Sequence, residues 1–230
     1  MIVEIVKSFD GLEDLRGVVA VLDIFRASNT IISLLASGVA ELTLLADLEE
    51  ARRLRARRPG WLLLGERQGI APPDFDGGNS PVEAASGAFA GRRVILTTSA
   101  GTQAVGRLSR AREVLFGSFA NAAALVGLLK ELAPRVVHLL PMGLEAKSPA
   151  LEDELAAGFL ADLIGGRGPD FAAIKSRLLD CPGADRLRSL DQQDDLEFCT
   201  ILDSQQLVPR VRYGELPVVA AFETKKERPG

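Results

Sequence analysis

Short apolar runs recur along the chain, and after each one apolar residues return every three or four positions. The runs Ile2–Val6, Val18–Leu22, Glu41–Leu45, Trp61–Leu64, Arg93–Leu96, Glu113–Phe116 and Arg135–Leu140 read as strands. Their near-continuous hydrophobicity suits strands covered on both faces. Helical spacing marks Ser28–Ser37, Leu48–Arg57, Gly101–Leu108, Ala120–Leu132 and Leu151–Ile164. Alternating strands and helices require crossover connections, so the pattern predicts a three-layer α/β/α fold with a largely parallel or mixed sheet. The stretch Gly165–Asp195, rich in Gly, Pro, Asp and Arg, predicts one helix between loops. Phe198–Leu202, Val208–Tyr213 and Pro217–Phe222 read as late strands, and the polar Thr224–Gly230 is expected to fray.

Within this alternation lies an internal repeat. Thr30 opens one helix and Thr102 another, and in each case a Glu (Glu41, Glu113) starts the next strand 11 residues later. Leu62-Leu63-Leu64-Gly65-Glu66 is echoed by Leu139-Leu140-Pro141-Met142-Gly143, and Asn79-Ser80-Pro81 by Lys147-Ser148-Pro149. The expectation is a single domain over residues 1–230. Its internal halves, about 1–85 and 90–165, would face a shared cleft, with 166–230 as a C-terminal segment. The competing explanation is that any two strand–loop–helix units share small residues at their turns.

Composition narrows the function. With 27 Lys and Arg against 31 Asp and Glu, the net charge of −4 argues against a general nucleic-acid binder. No apolar run reaches the roughly 18–20 residues of a membrane helix. The N-terminus carries charge among its apolar residues and has no signal-peptide core. Cys181 and Cys199 match no zinc spacing and read as reduced structural thiols. The expectation is a cytoplasmic protein.

The chemistry-bearing residues gather at four places. Asp23 leaves the first buried strand, and Arg26, Ser28, Asn29 and Thr30 follow where a helix begins. A helix start offers unpaired N–H groups to an anion, and arginine adds a planar fork for phosphate oxygens. A plain helix cap with an Asp23–Arg26 pair fits the same spacing. Thr97–Thr102 places Ser99, Gly101 and Thr102 after another strand, a cradle of hydroxyls without the glycine spacing or lysine of a P-loop. Glu66, Asn79 and Ser80 sit in glycine-rich loops that read either as site or as surface loop with a capped helix. Glu152 and Asp153, in a first helical turn, serve either the helix dipole or Mg²⁺. His138 is the only histidine and lies in an apolar run, which disfavours Ser–His–Asp catalysis. Acids, hydroxyls, amides and arginine remain, a set suited to metal-assisted handling of phosphate.

The stretches LDIFRASNT, GERQG, FDGGNSP, ILTTSAGTQA, GSFANA, ALEDELAAG and EFCTILDSQQLVP, in this order, resemble the 2-phosphosulfolactate phosphatase family over about residues 18–210. The resemblance implies a Mg²⁺-dependent phosphatase of coenzyme M biosynthesis and a homo-oligomer, taken as a dimer. By position it implies Asp23, Arg26, Glu66, Asn79, Ser99, Thr102, Ser118, Asn121, Glu152 and Asp153 as site residues. Within the site the expectation is Asp23, Arg26 and Glu66 as catalytic residues and Mg²⁺ held by carboxylates drawn from Asp23, Glu152 and Asp153. Ser28, Asn29, Thr30, Asn79, Ser80, Ser99, Gly101, Thr102, Ser118 and Asn121 are the expected phosphate-binding set. Phe25 and Ser28-Asn29 depart from the family's usual Asp-x-Leu-Arg-Ala-Thr-Thr-Thr. A non-catalytic sensor of a small organic phosphate or sulfonate would need Arg26 and the helix starts but not the carboxylates.

Overall fold

The computed structural model describes residues 1–222, so Thr224–Gly230 lies outside the described residues. The strands are β1 (Ile2–Ile5), β2 (Val18–Leu22), β3 (Glu41–Leu44), β4 (Leu62–Gly65), β5 (Arg93–Thr97), β6 (Glu113–Gly117), β7 (Val136–Pro141), β8 (Pro209–Arg212) and β9 (Val218–Ala221). They form one mixed sheet in the order β1-β7-β2-β6-β8-β9-β3-β5-β4. Two parallel groups, β1-β7-β2-β6 and β3-β5-β4, are joined through the antiparallel β8–β9 pair.

This order is symmetric under exchange of the two sequence units. The central strand of the first unit, β2, lies between β6 and β7 of the second; the central strand of the second, β5, lies between β3 and β4 of the first. The matched glutamates hold matched registers: Glu113 faces Val18 and Glu41 faces Arg93. Each spatial half of the sheet is therefore built from both sequence halves. Three antiparallel joints reverse the second group. A twist of about 20–25° per neighbour, taken over the six steps from β2 to β4, turns the sheet by about 120–150°. That rotation swings the carboxyl end of β4 back towards that of β2.

The period-two alternation decides the layers. Val19 and Val21 share one core with Leu42, Leu44, Val94, Leu96 and Phe116, and α1 (Ala27–Ala36) sends Ile31 and Leu34 into it. Val18, Ala20 and Leu22 face the opposite way, onto α4 (Ala122–Leu132) and α5 (Leu151–Ile164). Ile95 and Leu63 pack with Ala51 of α2 (Leu48–Arg57). The three-layer α/β expectation is met. The short α3 (Pro81–Ala85) begins at Ser80, whose hydroxyl accepts from the Glu83 N–H.

Three expectations are corrected. Gly101–Leu108 is not an α-helix but a run of turns with a 3₁₀ segment at Val105–Arg107. Thr98 and Thr102 bond each other's main chain through their hydroxyls, and such local bonds compete with the helical ladder. Gly165–Asp195 holds not one helix but α6 (Phe171–Leu179), α7 (Pro182–Ser189) and the start of α8 (Gln193–Cys199). Asp170 caps α6 and Pro182 starts α7, stops and starts that break one apparent helix into short ones. Phe198–Leu202 is not a strand: α8 runs into it, burying Leu196 and Cys199 at helical spacing while Ile201 is exposed.

Gly65 closes β4 at φ 144°, where a β-carbon would lie 1.9 Å from the Thr97 carbonyl oxygen. Gly65→Ala is thus expected to push β5 aside and destabilise the fold by about 3–4 kcal/mol. A thermal melt would register a fall of about 6–16 °C.

Candidate active site

The loops that leave the carboxyl ends of β2, β4, β5 and β7 meet at a cavity of about 450 Å³. This is the end of a parallel sheet at which open α/β folds bind ligands. Asp23, Arg26, Glu66, Ser99, Glu152 and Asp153 all line it.

Two of the acids hold the cavity open in matching ways. Glu66, just past β4, accepts the Ser99 N–H at 2.7 Å and the Gly69 N–H at 2.6 Å. Asp153, at the start of α5, accepts the Ile24 N–H and the Gly143 N–H, both at 2.8 Å. Each carboxylate thus ties the loop after one central strand to the loop after a flanking strand.

Asp23 is held by its own turn. Its main-chain N–H donates to the Ser28 hydroxyl at 3.0 Å, and its carboxylate accepts from the Ala27 N–H at 3.2 Å. Burial pushes its pKa up to about 7, and the nearby charges of Glu66 and Glu152 push the same way. Burial also raises Asp153 well above the carboxylate range, helped by Asp23 and Glu152, and raises Glu152. Arg26 does not offset this field. Its Nη1 donates to Asp195 at 2.6 Å, with both side chains buried, and its Nη2 to the Gly69 carbonyl at 3.0 Å. Arg186 of α7 also lines the cavity, and its charge acts on Glu152.

The remaining expected residues divide sharply. Asn79 and Ser99 reach the cavity, and the Asn79 amide oxygen is buried without a partner among the described residues. Ser28, Asn29, Thr30, Gly101, Thr102, Ser118 and Asn121 do not line it. The structure gives them scaffold roles in place of the ligand contacts that their spacing suggests. Asn29 donates to the Ile24 carbonyl and accepts from Ser118, which forms a capping box with Asn121. Thr30 donates to the Asn79 carbonyl at 3.0 Å and Thr102 to the Thr98 carbonyl. Gly101 lets the chain pass Asp23, since a β-carbon there would come within 2.9 Å of its Oδ2. Ser80 caps α3 and donates to Asp195 at 2.5 Å. Sequence reasoning missed Asp195 and Arg186. Both belong to the segment read as a single helix between loops, and no spacing motif marks either one.

Among the described residues, no three His, Cys, Asp or Glu side chains are gathered as a ready metal cluster. Mg²⁺ needs only one or two protein carboxylates beside water and phosphate. Asp23, Glu152 and Asp153 supply hard oxygens of that type. Their raised pKa values mark a field that a bound cation would relieve.

A cavity of mutually repelling buried acids, at the carboxyl ends of a covered sheet, belongs to an enzyme, and the comparisons with known proteins make it a phosphoric monoester hydrolase. A family profile described as 2-phosphosulpholactate phosphatase matches residues 6–214, and the chain belongs to that family. A relative from Thermus thermophilus is 35% identical over 216 residues, covering 86% of this chain and 90% of its own. One from Deinococcus radiodurans is 34% identical over 215 residues, with 86% and 89% covered. Both are named as probable 2-phosphosulfolactate phosphatases. Among the described residues, no helix is long and apolar enough to cross a membrane.

Proposed function

We propose that the protein hydrolyses 2-phosphosulfolactate to sulfolactate and inorganic phosphate, and that it requires Mg²⁺. The observation that carries this reading is the meeting of Asp23, Glu152 and Asp153 in one cavity beside Arg26. Family membership supplies the substrate class, since the relatives carry that name.

Glu152 and Asp153 would hold Mg²⁺, because each Asp153 oxygen keeps a lone pair beside its N–H bond. Bound there, the ion would neutralise phosphate charge and stabilise the charge that develops at phosphorus. Asp23 takes the proton of the attacking water, a task suited to a carboxylate whose pKa is near neutrality. The water oxygen forms a bond to phosphorus as the ester P–O bond breaks. The proton that Asp23 took passes, directly or through solvent, to the leaving alkoxide to give the free hydroxyl of sulfolactate and restore the Asp23 carboxylate. Ser99 and Asn79 offer a hydroxyl and an amide to the phosphate oxygens. Arg26, fixed by Asp195 and the Gly69 carbonyl, has N–H groups left over that can donate to a phosphate oxygen at the edge of the site.

A panel of phosphomonoesters that includes 2-phosphosulfolactate, assayed for phosphate release with Mg²⁺ and with chelator, tests the proposal. Release from the sulfo acid is expected only with Mg²⁺ and at a rate above that of simple esters. No release from any compound would reject the reading in favour of a non-catalytic anion sensor.

A further inference from the structure

Beside the acid-lined cavity, and sharing Ser99 and Glu145 with it, lies a second cavity of about 540 Å³. The two have opposite character. The first gathers Asp23, Glu66, Glu152, Asp153 and Glu154 against Arg26 and Arg186; the second presents Arg67, Gln103, Arg107 and Lys147, with Glu145, above a floor that includes Leu12 and Met142. Arg107 is paired with Glu13 at 2.9 Å and Lys147 with Glu145 at 3.2 Å. Arg67 has no carboxylate partner among the described residues. Its guanidinium is held instead by three neutral acceptors: the Glu66 carbonyl at 2.6 Å, Thr97 Oγ1 at 2.8 Å and the Ala46 carbonyl at 3.2 Å. A half-buried cation fixed in this way is pre-organised, so a ligand that meets it loses little ordering entropy. The rim is strained as well: Gln68, Glu145 and Ala146, none of them glycine, have φ of 56°, 53° and 54°. Such strain persists where the surrounding structure imposes it and clusters at ligand sites.

We propose that this second cavity is an anion subsite that takes the sulfonate or carboxylate end of the substrate while the phosphate occupies the acid-lined cavity. The inference rests on the reading above that the substrate is a phosphorylated sulfo acid. Such a molecule carries a carboxylate and a sulfonate on either side of the phosphate. A bound Mg²⁺ would neutralise the phosphate, whereas a further anion would meet the uncompensated charge around Asp23, Glu152 and Asp153. Ser99, common to both walls, is where the ligand crosses from one to the other. Arg67 supplies the charge, Gln103 the amide and Lys147 a mobile cation at the mouth.

Sulfoacetate, which has a sulfonate and a carboxylate but no phosphate, is the probe. Its affinity is measured by calorimetry in the wild-type protein and in Arg67→Gln, Arg67→Lys and Lys147→Glu, with inorganic phosphate as comparison. Arg67→Gln is expected to weaken sulfoacetate binding at least about tenfold more than phosphate binding, and Arg67→Lys to recover part of the loss. Lys147 is exposed, so Lys147→Glu keeps the fold and is expected to weaken sulfoacetate binding about three- to tenfold. Competition by methanesulfonate or by acetate then tells which anion is held, and competition by neither overturns the proposal. Equal losses for sulfoacetate and phosphate, or no binding of sulfoacetate to the wild type, overturn it too. Arg67-dependent binding in a protein that releases phosphate from nothing would keep the subsite and reject the phosphatase. Turnover whose preference for charged substrates ignores Arg67 would do the reverse.

Discussion

Asp195→Ala is expected to destabilise the protein by about 3–5 kcal/mol, the usual cost of stripping one partner from a buried ion pair. Asp195 is held from three sides. It accepts from Arg26 Nη1 at 2.6 Å, from Ser80 Oγ at 2.5 Å and more weakly from the Val82 N–H at 3.4 Å. Removing it leaves a guanidinium that is 4% exposed without a counter-charge and frees the cap of α3. At about 2–4 °C per kcal/mol for a chain of this size, the melting temperature should fall by about 6–20 °C. Turnover should fall with it, because Arg26 is then fixed only through the Gly69 carbonyl. The double variant Arg26→Met/Asp195→Leu separates the two effects. A well-packed apolar pair can match the stability of a buried ion pair, so most of the melting temperature should return while activity does not. Recovery of activity in the double variant would show that Arg26 has no part in the chemistry.

The sequence reading succeeded where one physical rule decided the outcome. Largely buried strands leave apolar runs, so β2, β5, β6 and β7 were legible from their Val, Leu, Ile and Phe residues. The Thr-to-Glu spacing occurs in both units, and the strand order places Glu41 and Glu113 in equivalent registers. Reading failed where a polar side chain has two uses. Asn29, Ser118 and Asn121 have the composition of an anion site, yet they spend their hydrogen bonds on one another and on carbonyl groups. Spacing cannot tell a capping hydroxyl from a ligand hydroxyl, since both occur at helix starts. Glu66 and Asp153 show the same ambiguity from the other side: they line the cavity while also serving as clamps between loops. Asp195 was illegible for a different reason. Its partner Arg26 is 169 residues away, and no local pattern encodes a contact of that range.

Asp23→Asn is expected to abolish turnover, by at least about 10³-fold if Asp23 is the base, and at the same time to flatten the pH dependence of stability. A carboxyl with a folded pKa of about 7 against an ordinary 3.8 binds its proton more tightly in the folded state. Between about pH 4 and 7 the folded protein therefore holds a proton that the unfolded chain has released. Stability falls as pH rises through this window, and the penalty is complete above it. Three pKa units correspond to at most about 4 kcal/mol for this one group. Glu152 and Asp153, raised for the same reason of burial, add to the slope in the same direction. Asparagine cannot ionise, so the variant escapes the Asp23 share. It gives up one acceptor to the N–H groups of its turn, a loss of about 1–3 kcal/mol that is the same at every pH. Melts of chelator-treated protein from pH 5 to 8.5 should show the wild type losing stability faster than Asp23→Asn. Mg²⁺ added at pH 8 should restore the wild type more than the variant, because the ion relieves the repulsion that Asp23 helps to create. Parallel melting curves across the pH range would mean that Asp23 sits in the folded protein with an ordinary proton affinity, and the base would then have to be sought elsewhere in the cavity.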